Sequence, residues 1–243
     1  MNKRKQLISY AIKYKGDYKS ILKAYTKNEL IDIIKYDNAI TILDDNYPKR
    51  LFELDYPPLV LFYRGNINLL NNECIGIVGS RNVSKYGADI TTYVANNLKH
   101  KYTIVSGLAK GVDALAHSAC LKGGTTIGVL GCGIDYIYPK SNTLLYEEMS
   151  KNHLILSEYP YDLEPNKLYF PFRNRIIAAL SNKLIVTSAK ERSGTLITVN
   201  QCLKLDKDIY CVPYHCDEID GIGCNRLILE GANILLTDDI NLL

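Results

Sequence analysis

From Cys74 onward, short apolar runs rich in β-branched residues alternate with segments whose apolar residues recur at helical spacing. Because these short runs have no polar face, they predict strands of a parallel sheet that is covered by helices on both sides. Right-handed crossovers then give an α/β, doubly wound, mostly parallel, Rossmann-like fold. The predicted strands are Ile75–Val78, Thr103–Val105, Thr126–Leu130, Leu154–Leu156, Leu184–Val186 and Ile209–Val212.

The first 45 residues have a different pattern. The run Tyr18–Tyr25 is amphipathic, and Lys27–Lys35 is predicted to continue as helix. The prolines at positions 48, 57 and 58 indicate an irregular connector after it. We therefore expect two parts, a short helical N-terminal segment over residues 1–45 and a Rossmann-like domain over residues 46–243.

Charge is distributed unevenly along the 243 residues. The net charge is only +3, yet residues 1–50 carry 11 Lys/Arg against 6 Asp/Glu, so the remainder is slightly acidic. A binding site for a polyanion in the main domain must therefore be a local cluster of cations.

No apolar run approaches the roughly 20 residues that span a bilayer, and the charged N-terminus does not resemble a secretory signal. We expect a cytoplasmic protein with no membrane association. Seven cysteines, an odd number at irregular spacing, argue against a disulfide framework. His215, Cys216 and Cys224 share a predicted loop, which would suit zinc, but no CxxC pair accompanies them, so we expect neither a metal nor a cofactor.

Glycine-containing turns follow four of the predicted strands, and most of them add a serine or a cation. Such strand ends meet at one edge of the sheet, where the following helices also present their N-termini, and together these features favour a phosphate site. One such turn alone would be ordinary turn chemistry. The turn residues expected to face the ligand are Ser80, Arg81, Ser106, Gly107, Lys110, Gly131, Gly133, Arg192, Ser193 and Gly194.

The motifs that bind dinucleotides or nucleoside triphosphates are missing from the sequence. The first turn reads GIVGSR, which is not GxGxxG, and there is no GxxxxGK[ST] motif. Binding of NAD and P-loop hydrolysis of a nucleoside triphosphate are therefore disfavoured.

The window Lys167–Arg192 holds six Lys/Arg residues and only one acid, Glu191, together with three aromatic residues. Cations interleaved with aromatic rings are typical of single-stranded nucleic-acid binding, although a solvated helix face with buried rings would give the same pattern. Arg173, Asn174 and Arg175 fall at a predicted helix start, where arginines oppose the helix dipole and a bound anion would offset that cost.

Catalytic motifs are weak. His117 follows Asp113 by four positions, which suits an acid/base pair but more often gives a structural contact on one helix face. There is no GxSxG, no HExxH and no outstanding pair of acids. We therefore predict a protein that is not an enzyme.

Taken in order, these stretches resemble the DprA/Smf (DNA-processing protein A) family, over about Tyr47 to Leu236. The stretches that carry the resemblance include Val78–Arg81, Ser106–Asp113, Gly131–Gly133, Tyr138–Lys140, Phe172–Ser181 and Ser193–Thr198.

The resemblance implies a homodimer that binds single-stranded DNA and assists the loading of a RecA-type recombinase during natural transformation. By the same resemblance, the DNA-facing side chains would be Arg81, Lys110, Lys140, Arg173 and Arg175. The dimer surface would lie near Asn225, Ile228 and Ile234.

The sequence departs from the family at Tyr214 and Ser188, where a glycine and a glutamate are usual, and we expect it to lack the C-terminal winged-helix domain of many members. Two alternatives stay open. One is a LOG-like enzyme that cleaves nucleoside monophosphates, although Thr198 stands where that group has its catalytic acid. The other is a nucleotide-sensing regulator.

Leu227, Ile228 and Leu229 are consecutive in a predicted helix. At about 100° per residue they span roughly 200° of its circumference, so one of them must point away from the sheet. An outward apolar side chain favours a two-fold contact, and the resemblance to the DprA/Smf family implies that Ile228 lies at its centre. The alternative is that the N-terminal helices cover this surface.

Overall fold

The computed structural model describes residues 2–243. Within them, nine strands form one sheet, and eight α-helices pack around it. The helices are α1 (Lys3–Lys13), α2 (Tyr18–Thr26), α3 (Lys85–Leu98), α4 (Val112–Cys120), α5 (Thr143–Asn152), α6 (Tyr169–Leu180), α7 (Thr195–Lys204) and α8 (Ile222–Leu229). The strands are β1 (Ala39–Thr41), β2 (Val60–Gly65), β3 (Cys74–Gly79), β4 (Thr103–Ser106), β5 (Thr125–Val129), β6 (Leu154–Ser157), β7 (Lys183–Ser188), β8 (Ile209–Cys211) and β9 (Asn233–Ile234). Short 3-10 helices cover Lys49–Glu53, Ile67–Asn71, Lys140–Asn142, Ile219–Gly221 and Thr237–Leu242.

The strand order is β1-β2-β6-β5-β4-β3-β7-β8-β9. All neighbouring pairs from β6 to β9 are parallel, whereas β1 and β2 pair antiparallel at one end. The predicted doubly wound, mostly parallel fold is therefore confirmed. Strands β3 and β4 adjoin at the centre, and the chain winds outward from them in both directions, which places the topological switch point beside β3.

The sequence analysis missed β1 and β2. Strand β1 has only three residues, and β2 begins two residues after Pro58 in what the prolines suggested was an irregular connector. Prolines disfavour a central strand but are compatible with the approach to one. Residues 1–45 therefore contribute a strand to the sheet and are not only helical.

The prediction that Lys27–Lys35 continues as helix is wrong. Helix α2 ends at Thr26, and Asn28 then adopts a φ of +48°, which stops the helical path. The chain beyond runs extended across α1, where the Ser9 hydroxyl accepts a hydrogen bond from the Ile34 amide at 2.9 Å. Contacts with α1 thus satisfy part of this segment's backbone outside a helix.

Two apolar clusters hold the fold together. The larger one packs the central strands against helices on their flanks, and the smaller one joins α1 and α2 to β2 and α5. The N-terminal helices thus lie at the β1 end of the sheet, and α8 lies against β7 and β8 near the opposite end. None of the helices in residues 2–243 is both long and apolar enough to cross a membrane.

Candidate nucleic-acid interface

A groove of about 700 Å³ opens at the carboxyl ends of β3, β4 and β7. The turns after these strands and the first turns of α6 and α7 form its walls. The expected site residues that line it are Ser80, Arg81, Gly107, Arg173, Asn174, Arg192, Ser193 and Gly194. The structure thus brings together turns that lie more than 100 positions apart in the sequence.

A smaller pocket of about 220 Å³ adjoins the groove and shares Arg81 and Arg173 with it. Lys110 and Gly131, both expected site residues, line this pocket. Its floor is apolar and includes Leu108. The groove and the pocket therefore form one continuous surface at the carboxyl edge of the sheet.

Arg81 lies at the mouth of both spaces. Its guanidinium is 5.5 Å from the centre of the Phe170 ring, a cation–π contact. The turn that carries it is fixed by the Ser80 amide, which donates to the Ser188 carbonyl at 2.9 Å. A rigid turn thus presents an exposed arginine to solvent.

Phe170 and Tyr138 supply the ring surfaces of the site, and Lys167 supplies a further cation. The two rings are 5.9 Å apart between centres. Gly131 allows the close approach of Phe170, since a Cβ at that glycine would lie 2.7 Å from Phe170 Cδ1. The candidate residues chosen from the sequence omitted all three, although the window of cations and aromatics had pointed to Phe170 and Lys167.

Arg173 is buried at the floor of the groove. Its guanidinium donates to the Val129 carbonyl and, at 3.1 Å, to the Asn174 side-chain oxygen. Burial lowers its pKa, and the nearby Asp113 carboxylate opposes that shift. An arginine stays charged at neutral pH even so, because its pKa begins far above 7. The floor of the groove therefore carries a largely desolvated positive charge.

Gly107 lies between Asp113 and Arg173. A Cβ at Gly107 would lie 2.6 Å from Arg173 Nη1 and would also collide with the Asp113 carboxylate. Only glycine at this position lets the side chains of Asp113 and Arg173 keep their positions. Burial raises the pKa of Asp113, with Arg173 as the main opposing influence.

His117 and Asp113 do not form the direct contact that their spacing suggested. His117 Nε2 donates to the Gly107 carbonyl, and its Nδ1 lies 2.6 Å from the Thr126 hydroxyl. Asp113 instead accepts from the Ala109 amide at 3.3 Å. Both side chains hold the turn after β4, which indicates a structural role for His117.

Helix α7 begins at the groove, and its first residues are polar. The Ser193 hydroxyl accepts from the Thr195 amide at 3.2 Å, and a Cβ on Gly194 would meet no atom within 4 Å. Lys190 and Arg192 precede the helix, and Lys190 is 3.1 Å from Asp220. A helix N-terminus with cations in front of it suits a phosphate group.

Four of the expected site residues line neither the groove nor the smaller pocket. The buried Ser106 hydroxyl donates to the Ile77 carbonyl at 2.6 Å, and the Gly133 amide donates to the Leu163 carbonyl at 2.7 Å. Both groups are thus used inside the fold. Lys140 is exposed and follows Pro139, which lines the smaller pocket.

Arg175 is the fourth, and its side chain is engaged inside the fold instead of lining the groove. Its guanidinium is buried and forms a two-pronged ion pair with Glu158, at 2.7 Å on each prong. Two residues along a helix correspond to about 200° of rotation, so Arg173 and Arg175 point to opposite faces of α6. Only Arg173 reaches the groove.

The expected dimer surface is at the β9 end of the sheet. Leu227 is buried, Ile228 is partly buried against the larger cluster, and Leu229 is 88% exposed. The prediction that one of the three points outward is confirmed, but the residue is Leu229 and not Ile228. Ile234 is 46% exposed on strand β9.

Asn225 is the remaining residue of the expected dimer surface, and its side chain is already engaged. It exchanges two hydrogen bonds of 3.0 Å with the backbone of Tyr214. The N-terminal helices, which were the alternative cover for this surface, pack at the other end of the sheet.

The three residues His215, Cys216 and Cys224 do not form a zinc ligand set. Cys224 lies on α8 and is buried, whereas Cys216 is exposed and His215 pairs with Asp217 at 2.5 Å. Across the described part of the chain, no group of three or more His, Cys, Asp or Glu residues is placed to hold a metal ion.

Comparison with known proteins adds independent information. A family model described as DNA recombination-mediator protein A matches residues 38–242. The chain is also 45% identical over 200 residues to the DNA processing protein DprA of Streptococcus pneumoniae, covering 81% of this chain and 70% of that protein.

Two solved structures resemble this one over most of its length. The X-ray structure of DprA from Streptococcus pneumoniae covers 98% of this chain and 92% of its own, with a TM-score of 0.83 and 37% identity. A structure of DNA processing protein A from Helicobacter pylori, reported for its single-stranded DNA binding mode, covers 85% of this chain and 96% of its own, with a TM-score of 0.77 and 33% identity.

Proposed function

Because the chain belongs to the DNA recombination-mediator protein A family of DNA-processing proteins, we propose that it binds single-stranded DNA in the groove at the carboxyl edge of its sheet. The observation that carries the proposal is the combination of Arg81, Arg173 and Lys167 with the ring of Phe170 in that groove. The relative from Helicobacter pylori, whose structure concerns single-stranded DNA binding, supports the assignment.

Cations and rings perform different parts of the binding. Arg81 and Lys167 contact phosphates, as does the start of α7, and these contacts do not depend on base identity. Phe170 and Tyr138 offer surfaces on which bases stack. Bases in a duplex are already stacked and paired, so the rings act only on a single strand. The protein therefore prefers single strands and shows little sequence bias.

Within this proposal the protein helps a RecA-type recombinase to load onto incoming single-stranded DNA during natural transformation. It works in the cytoplasm, where a reducing environment suits seven free cysteines, six of them buried. It acts as a homodimer through the surface of Leu229 and Ile234, which are both exposed at the end of the sheet.

The proposed activity is binding and not turnover. The carboxylate in the groove, Asp113, is buried beside Arg173 and accepts a backbone hydrogen bond. Thr198, which stands where a nucleotide-cleaving relative would need an acid, lines the same groove. Neither residue offers a free general base beside the phosphates.

The deciding experiment is a titration of fluorescent oligonucleotides of equal length, single-stranded and duplex, at two salt concentrations. We expect tighter binding of the single strand, with an affinity that falls steeply as salt rises. Equal affinity for both forms, or binding that does not respond to salt, would refute the proposal. Release of a base or phosphate from nucleotides, abolished by Asp113→Asn, would instead favour an enzyme.

A further inference from the structure

The N-terminal end of α6 carries much of the groove but has little local stabilisation. Phe170, Arg173 and Asn174 all project from its first two turns. Its N-cap residue, Leu168, has no side-chain capping bond, and the first turn holds no acid. The local bonds at this start come from Asn166, whose side-chain oxygen accepts from the Leu168 amide and whose carbonyl accepts from the Tyr169 amide, each at 3.0 Å. A helix start with only these local bonds, and with arginines in its second turn, tends to fray.

The other end of the same helix is held by a tertiary contact. The Lys207 ammonium donates to the carbonyls of Ala178, Ala179 and Ser181, at 2.9, 2.8 and 2.6 Å. A cation at a helix C-terminus also interacts favourably with the dipole. The start of α6 needs an equivalent anchor, and it too must come from elsewhere in the chain.

Arg175 makes four hydrogen bonds at that position. Its Nε donates to the Tyr56 carbonyl at 3.0 Å, and its Nη1 donates to the Phe172 carbonyl at 2.7 Å. The remaining two go to the two carboxylate oxygens of Glu158. The guanidinium also lies 3.6 Å from the centre of the Phe172 ring. One side chain thus joins α6 to the loop after β6 and to the connector before β2.

The loop after β6 makes a second contact with the start of α6. Tyr159, next to Glu158, stacks on Tyr169 with ring centres 4.1 Å apart. The ion pair and the stacked rings together fix the first turn. We propose that Arg175, paired with Glu158, is a positioning residue for DNA binding: it sets the first turns of α6 so that Phe170 and Arg173 face the groove, and it does not touch DNA itself. This inference rests on the proposed function.

The experiment compares variants by affinity for a single-stranded oligonucleotide and by the slope of log affinity against log salt. The double variant Glu158→Gln/Arg175→Met removes both buried charges at once, which avoids leaving one unpaired. Arg175→Lys keeps the positive charge but loses the planar fork. Arg4→Met, which removes the arginine on α1 that is paired with Asp44, is the control for the loss of an ion-paired arginine outside α6.

We expect the double variant and Arg175→Lys each to bind at least tenfold more weakly with an unchanged salt slope, while Arg4→Met binds as the unmodified protein. Wild-type affinity in either α6 variant would overturn the proposal. So would a slope reduced by about 0.7, which is the loss of one phosphate contact on a single strand. Arg175→Lys should keep most affinity if Arg175 contacted phosphate directly.

Amide hydrogen exchange without DNA separates this inference from the proposed function. The amides of residues 173–176, which donate to the carbonyls of the first turn, should exchange faster in both variants than in the unmodified protein and in Arg4→Met. Unchanged exchange there would refute the positioning role even if DNA binds. If the unmodified protein fails to bind single strands, the proposed function fails, and the exchange result still decides whether Arg175 holds the helix start.

Discussion

His117 Nε2 donates a hydrogen bond to the carbonyl oxygen of Gly107, so a fully buried imidazole supports the turn at the floor of the groove. Because the carbonyl can only accept, Nε2 carries the proton, and Nδ1 faces the Thr126 hydroxyl, whose oxygen lies 2.6 Å from Nδ1 and 2.7 Å from the Ile104 carbonyl. Burial lowers the pKa of His117 to about 4. The folded protein therefore holds this ring in its neutral form at neutral pH.

The first prediction is a loss of stability in mild acid. The pKa of His117 is depressed on folding, so its contribution is present above about pH 6.5 and is lost as pH falls towards 4. A shift from 6.5 to about 4 corresponds to about 3 kcal/mol of unfolding free energy. Urea denaturation at pH 7 and pH 4 measures it.

The control for that prediction is His117→Gln, which keeps a donor for Gly107 but does not titrate. Other groups, including the buried His153, whose pKa burial also lowers, contribute to the pH dependence of both proteins. The difference between the two proteins isolates His117. An equal loss of stability in both would show that His117 is not responsible.

The second prediction concerns Arg81. Arg81→Ala should lower the affinity for a single strand about tenfold and reduce the salt slope by about 0.7, because one charge-assisted phosphate contact is lost. Since Arg81 is exposed, the unfolding free energy should change by no more than about 0.5 kcal/mol. Fluorescence anisotropy at several salt concentrations provides both DNA quantities.

Lys151→Ala is the matched control for Arg81→Ala. Lys151 is exposed at the end of α5, just before β6 begins, and hence at the amino edge of the sheet. Lys151→Ala should leave the affinity for a single strand and the salt slope unchanged. A similar loss in both variants would mean that overall charge, and not the groove, determines binding.

The third prediction concerns Asp113, whose carboxylate lies in the groove among cations. Burial raises its pKa, so its effect on stability is most favourable in acid and declines as pH rises through the folded pKa. Asp113→Asn should therefore raise the unfolding free energy at neutral pH, since Asn also accepts from the Ala109 amide. It should also strengthen DNA binding severalfold by removing repulsion of phosphates. Weaker binding by a stable Asn variant would contradict this.

The fourth prediction concerns the dimer. Leu229→Arg should give a folded monomer, because a charge would be placed in an apolar two-fold contact. Leu144→Arg changes a similarly exposed leucine on α5 and should remain dimeric, since Leu144 is 81% exposed away from α8. Light scattering at micromolar concentration distinguishes the two. A monomeric unmodified protein, or a dimeric Leu229 variant, would rule out this interface.

The amino-acid sequence alone predicts the parallel core and the edge of the sheet where the groove opens. Continuous apolar runs such as Ile75–Val78 and Leu184–Val186 leave few alternatives to a covered parallel sheet, and the turns after them must then converge. The residues within each short run are enough to predict the parallel sheet, so the prediction does not depend on contacts between distant parts of the chain. The omission of β1 has the opposite cause, since three residues give too little periodicity and the strand exists only because β2 pairs with it.

Which side chains are free to bind DNA depends on packing between distant parts of the chain. Arg173 and Arg175 are two positions apart and are the same residue type. Arg173 lines the groove, whereas Arg175 is ion-paired with Glu158. Glu158 lies seventeen residues earlier, at the end of another strand, and nothing local in the sequence pairs the two. Burial, ion pairing and the face of a helix that meets the sheet are set by packing between distant segments, and they determine which cations remain for DNA.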